Sequence, residues 1–156
     1  MTTKKMAIIA TKGALDMAYP PLILASTAAA LGWEVQVFFT FYGLQLLRKD
    51  LSGIAISPLA NPAMPMPVPM PVIVSVLPGM QAMATSMMKA KMKKKGVASL
   101  EELRDLCQEA DVKFIACQMT VDLFDFEKKD FIDGIEYGGA ATFMKFAGES
   151  DVCLFI

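Results

Sequence analysis

Three side chains in this sequence can act as soft nucleophiles: Cys107, Cys117 and Cys153. Their spacing forms no CxxC pair and no zinc-ligand pattern, and the sequence contains no histidine. That absence removes His-dependent triads, Cys/His zinc sites and the commonest general base. A reactive cysteine here must therefore be ionised without help from an imidazole. Cys117 is the best placed, because it follows the apolar run Val112–Ala116 and precedes a helical turn. Unpaired N–H groups and the positive dipole end of a helix favour a thiolate over a thiol. Cysteines so placed have pKa values lowered from about 8.5 to roughly 3.5–7.5, and the thiolate is the form that attacks sulfur. A buried structural cysteine is the competing reading, and position alone leaves both open. Cys107 lies on the apolar stripe of a helix and Cys153 alternates within a terminal strand, so both read as core. Cys153 is the better candidate of these two for a resolving thiol.

Other residues offer weaker chemistry. Gly138-Gly139-Ala140-Ala141-Thr142 is small and opens a helix, so its amides could hold an anion or a sulfur-bearing ligand. Close helix–strand packing explains the same residues, and the run is not GxGxxG. Met64, Met66, Met70, Met80, Met83 and Met87 could ligate Cu(I), or fill an irregular interface. Lys89, Lys91, Lys93, Lys94 and Lys95 either complement a helix C-terminus or meet an acidic partner, a phosphate or an anionic membrane surface.

Strands and helices must position these groups. Met6–Ala10 and Trp33–Thr40 read as buried strands around a helix over Leu15–Leu31, with Pro20 and Pro21 in or near its first turn. A short helix follows over Leu44–Lys49. Ser52–Ser57 and Val72–Val76 compete for the third strand, on either side of an extended Met/Pro tract at Asn61–Pro71. Gly79–Lys95 reads as a helix. Ser99-Leu-Glu-Glu102 is a capping box that opens another, running to about Ala110. Val112–Ala116 is a strand, Thr120–Phe126 and Glu127–Asp133 are helical pieces, Ile135-Glu136 is a small strand, Gly138–Gly148 is a helix, and Val152–Ile156 closes the chain as a strand. Connections this long predict an α/β fold: three α/β/α layers around a mostly parallel, roughly five-stranded sheet. Residues 1–156 read as a single domain with a Met/Pro-rich segment, 61–78, inside it. Ligands bind beyond the carboxyl ends of parallel strands. Thr11–Ala14, Thr40–Gly43, Cys117–Thr120 and Tyr137–Thr142 should reach that edge.

Composition narrows the function. The 156 residues carry 15 basic and 16 acidic side chains, so no strong positive field marks nucleic acid as a partner. Apolar residues make up 54%, which excludes a mainly disordered chain and points to surface buried against other subunits. Three free thiols and a polar start at Met1–Lys5 predict a reducing cytoplasm. Leu51–Met88 is uncharged, but Pro58, Pro62, Pro65, Pro67, Pro69, Pro71 and Pro78 forbid a regular spanning helix. No membrane span is expected; peripheral contact is compatible with the sequence.

The segments FFTFYGLQLLRK (38–49), NPAMPMP (61–67), LPGMQAMATSMMKAKMKKKGVASLEEL (77–103), IACQMTVDLF (115–124) and GGAATFM (138–144) resemble the DsrE/DsrF/DsrH-like family, in its DsrE-type sulfurtransferase (peroxiredoxin-like) branch. The resemblance spans almost the whole chain. It implies a compact three-layer fold with a parallel sheet, usually assembled into homo-oligomers, and a role in sulfur trafficking. It further implies that sulfane sulfur is carried as a persulfide on Cys117, supplied by a rhodanese-like donor and passed to a TusA-like carrier. Gln118, Gly138, Gly139 and Thr142 are the candidate binding residues around it; no metal and no cofactor are expected. The competing classes are a non-catalytic oligomeric binding module with structural cysteines and a Cu(I)-binding Met-rich protein.

Overall fold

The computed structural model describes residues 2–156. Among them five strands form one parallel sheet: β1 (Lys5–Ala10), β2 (Glu34–Phe39), β3 (Lys113–Cys117), β4 (Glu136–Gly138) and β5 (Val152–Phe155). Their order is β4-β3-β2-β1-β5, so β1 lies between β2 and the last strand of the chain. Near-continuous apolar runs in β1, β2 and β3 fit a sheet buried on both faces. One face carries Ile8, Val37, Phe39, Phe114 and Ala116 beneath helices α1 (Leu15–Ala30) and α4 (Leu100–Glu109). The other carries Ala7, Phe38, Ile115 and Cys117 beneath Phe143 and Phe146 of α6 (Ala140–Ala147). The period-2 alternation of a strand assigns these side chains to opposite layers.

Neither candidate for the third strand is one. Val72–Ser75 is a short helix, α2, and Ser52–Ser57 is irregular. The β-branched composition of Val72–Val76 favours a strand, but Pro71 fixes a helix-ready φ immediately before it. The third strand is Lys113–Cys117, entered after a long crossover that contains a 3-10 helix (Phe41–Leu47), α2, α3 (Met80–Lys94) and α4. Pro20 and Pro21 fall in the second turn of α1, not the first. The helix over Gly138–Gly148 begins only at Ala140, because Gly138 is still paired in β4.

Long-range hydrogen bonds tie the crossover down. The predicted capping box at Ser99 and Glu102 is formed on both sides. Buried Arg104 donates to the carbonyls of Leu46 and Arg48, fastening α4 to the end of the 3-10 helix. Thr85 accepts from the Ile56 N–H at 3.1 Å, which holds α3 to the irregular segment beneath it. Close approach sets the start of the 3-10 helix: a Cβ on Gly43 would sit 2.2 Å from the Ala10 carbonyl oxygen. Only glycine lets this turn rest on the end of β1.

Candidate functional site

β3 delivers Cys117 to the carboxyl edge of the sheet as its last residue, one position beyond the end expected from the sequence, Ala116. The next residue, Gln118, starts α5 (Gln118–Leu123), so Cys117 is also the residue that caps it. Its side chain points toward the α6 layer and is 5% exposed. Gly138 is its register partner on β4, and Thr40 is the first residue after β2 on the other side. The structure thus brings Cys117 and Gly138 together, with Gly139 and Thr142 immediately beyond in the start of α6.

Burial and hydrogen bonding pull the acidity of the sulfur in opposite directions. Burial alone pushes the Cys117 thiol up, as it does any buried acid. Four donors oppose it: the Thr120 hydroxyl, the Thr120 N–H, the Thr40 hydroxyl and the Met119 N–H. Together they outweigh burial and hold the thiol below its ordinary value. No charged group contributes. The opposing groups are neutral: Thr120 and Met119 lie in the first turn of α5, and Thr40 follows β2. Thr120 is fully buried; its oxygen accepts the Phe41 N–H at 3.1 Å and lies 3.3 Å from the Thr40 oxygen. Phe41 adopts a left-handed backbone with φ 48°, a costly state for a bulky residue, and this directs its N–H at Thr120.

Around the sulfur the remaining candidates do different things. The Gln118 amide donates to Asp122 across one helical turn at 2.8 Å, so it engages that carboxylate. Gly138 is not sterically required: an added Cβ would meet Thr142 and Ile115 at ordinary distances of 3.4 and 3.5 Å. Gly139 faces open space. Cys117 itself is buried in the cluster that includes Phe143 and Phe146 of α6. Phe41, Tyr42, Met119 and Leu123 are exposed in the segments that follow β2 and β3, with Tyr42 stacked on Phe124 at 6.1 Å.

Cys107 and Cys153 are far from this site. Cys107 faces α1 on the opposite side of the sheet, and its thiol donates to the Leu22 carbonyl at 3.3 Å. Burial pushes it up to about 11. Cys153 is exposed on β5 in the same register as Ala7, Gln36 and Lys113. It shares the α6-side face with Cys117 but lies four residues back and three strands away. Strand geometry makes that separation roughly 20 Å. A disulfide needs Cα atoms within about 7 Å, so neither cysteine can resolve Cys117 within one chain.

Among the described residues no three His, Cys, Asp or Glu side chains converge as a metal-ligand set. The methionines divide: Met64, Met70, Met80 and Met88 pack on the core, whereas Met83 and Met87 point outward. A cavity of about 450 Å³ lies between α1, α3 and the start of α4, and Cys117 is not among its lining residues.

The comparison with known proteins agrees with this architecture. A family model described as DsrE/DsrF/DrsH-like matches residues 2–155. The chain belongs to that family. Within the DsrE-like proteins it is 70% identical over 160 residues to "Sulfur carrier protein DsrE2" of Allochromatium vinosum, covering all of both chains. It is 34% identical over 158 residues to "Uncharacterized protein YrkE" of Bacillus subtilis, covering 99% of this chain and 98% of that one. Among solved structures it is similar to the ychN protein from E. coli. The TM-score is 0.56 at 12% identity, over 99% of this chain and 100% of that one, a likeness of fold. The DsrE-like parallel α/β sheet expected from the sequence is the one observed.

Thr40 and Thr120 are the site residues that the sequence reading left unassigned. Both follow apolar strands in segments that reach the same sheet edge, and that shared edge was the available signal. Their 80-residue separation hides the contact until the strands are ordered.

Proposed function

We propose that this protein carries sulfane sulfur as a persulfide on Cys117 and hands it to an acceptor thiol. One observation carries the reading: a thiol at the carboxyl edge of the sheet, held below its ordinary pKa by neutral donors alone. The name of the 70% identical relative, a sulfur carrier protein, supports it. Loading begins when the Cys117 thiolate attacks the outer sulfur of a donor persulfide, R–S–SH. The new S–S bond forms on Cys117 as the donor bond breaks, and R–S⁻ leaves with the electron pair. An acceptor thiolate then attacks the outer sulfur, and the Cys117 thiolate departs. Oxidation states balance across both steps, so no redox cofactor is required. Donors that lower the thiol's pKa favour the ionised nucleophile and lessen the need for a general base.

In this proposal the protein is a single-domain, sulfurtransferase-like carrier working in the cytoplasm. A rhodanese-like protein loads it and a TusA-like carrier unloads it. Exposed Val68, Val72, Ile73, Val76 and Leu77 in the Met/Pro segment support assembly into a homo-oligomer. No helix of the described residues is long and apolar enough to cross a membrane. Intact mass after incubation with inorganic polysulfide tests the central step. The expected result is gain of one sulfur atom by the wild type and none by Cys117→Ser. No gain on the wild type, or equal gain on the variant, overturns it.

A further inference from the structure

We propose that the cavity between α1, α3 and the start of α4 binds an α-amino acid with a large apolar side chain. At about 450 Å³ it falls in the range of small-molecule sites, roughly 300–1,000 Å³. Its floor is apolar: Leu15, Leu51 and Leu100 are each no more than 3% exposed. Its rim is charged, because Lys89 and Lys93 of α3 and Glu101 and Glu102 of α4 line it and are exposed. Lys89 and Lys93 stand four residues apart and so share one face of α3. The two signs therefore reach one cavity from different helices. Among the described residues Lys89, Lys93 and Glu101 take part in no ion pair. Glu102 accepts the Ser99 N–H in the capping box.

This division of floor and rim selects the ligand. An apolar body belongs on the floor, where it displaces water from leucine side chains. A lone carboxylate would meet Lys89 and Lys93 but be repelled by Glu101 and Glu102, and a lone ammonium would meet the reverse. A head group that carries both charges at one end satisfies both walls, and an α-amino acid has that head group. The size of the floor calls for a large side chain, aliphatic or aromatic. Tyr19 adds an acceptor: its hydroxyl donates to the Ala98 carbonyl at 2.9 Å, which leaves the phenol oxygen free to take a proton from the ligand's ammonium group as a hydrogen bond. Cys117 does not line the cavity, so binding here goes beyond the sulfur-carrying role and does not depend on it.

The experiment titrates the full chain with L-phenylalanine and follows its backbone amides by heteronuclear NMR. Saturable shifts are expected at Lys93, Val97 and Glu101, which line the cavity. Phenylpropanoate lacks the ammonium and phenethylamine lacks the carboxylate. Each should bind about threefold more weakly, the scale of one exposed ion pair. Glu101→Gln should weaken L-phenylalanine by a similar factor and tighten phenylpropanoate. Lys93→Gln should likewise weaken L-phenylalanine and tighten phenethylamine. Both side chains are exposed, so neither variant threatens the fold. Cys117→Ser should bind as the wild type does, which keeps this result apart from sulfur loading. No saturable shift with either L-phenylalanine or L-leucine up to about 10 mM overturns the proposal. So does equal affinity for the three phenyl compounds, the behaviour of a merely apolar groove. Binding that neither Glu101→Gln nor Lys93→Gln alters lies elsewhere on the chain and overturns it too.

Discussion

Cys107 and Cys117 stand ten residues apart, both buried, and their acidities move in opposite directions. Burial penalises the charged form of each. Around Cys107 it dominates: the surroundings are helix–helix packing, the sulfur acts as donor to Leu22, and the opposing bonds from Ser26 are too weak. Around Cys117 the chain turns from strand to helix, so backbone N–H groups are left without strand or helix partners. Two threonine hydroxyls add to them. The lesson concerns what a buried thiol sees. A packed helix face keeps it protonated, whereas the end of a parallel strand offers donors that burial cannot cancel.

The contrast can be broken or sharpened by substitution. Gly43→Ala should do the most damage, because its Cβ would lie 2.2 Å from the Ala10 carbonyl oxygen. Overpacking of this kind costs about 3 kcal/mol or more against backbone. It also displaces Thr40 and Phe41, so Cys117 should become less reactive near neutrality; urea unfolding and alkylation rates check the two effects. Alkaline pH should come next. The folded pKa of Cys107, about 11, lies above its unfolded value near 9. Below pH 9 both states hold the proton and nothing is lost. Between about pH 9 and 11 the unfolded state ionises first, and stability should fall by about 2–3 kcal/mol. In Cys107→Ala the decline over that interval should flatten, as read by urea midpoints at successive pH values.

Thr120→Val leaves the part-buried Phe41 N–H without its acceptor, which costs about 1 kcal/mol. Thr120→Ser should recover most of that loss in the same unfolding measurement. Gln118→Ala should matter least. Its bond to Asp122 is exposed, so stability should change by less than about 0.5 kcal/mol and the alkylation profile of Cys117 should not move. A shifted profile would mean that the Asp122 carboxylate, once released, reaches the sulfur.

Much of this frame was legible because its signals are local. Ser99 and Glu102 announce their helix three residues apart, and the apolar runs of β1, β2 and β3 read directly as buried strands. Cys117 was legible as a strand-to-helix residue for the same reason. Val72–Val76 was not, since its β propensity yields to the prolines that flank it. Gly138 read as a helix start because glycine permits either state, and only pairing with Cys117 fixes it as strand. Thr40 and Thr120 were invisible as a pair, because a contact between residues 80 apart depends on strand order and not on sequence pattern.

The most direct test is the pH dependence of Cys117 alkylation in the native protein, with Cys107 followed in the same sample by peptide mass. The expected result is a Cys117 midpoint below the ordinary thiol value of about 9, with Cys107 unmodified until the protein unfolds. A Cys117 midpoint at or above that value, or equal labelling of the two thiols, would contradict the account.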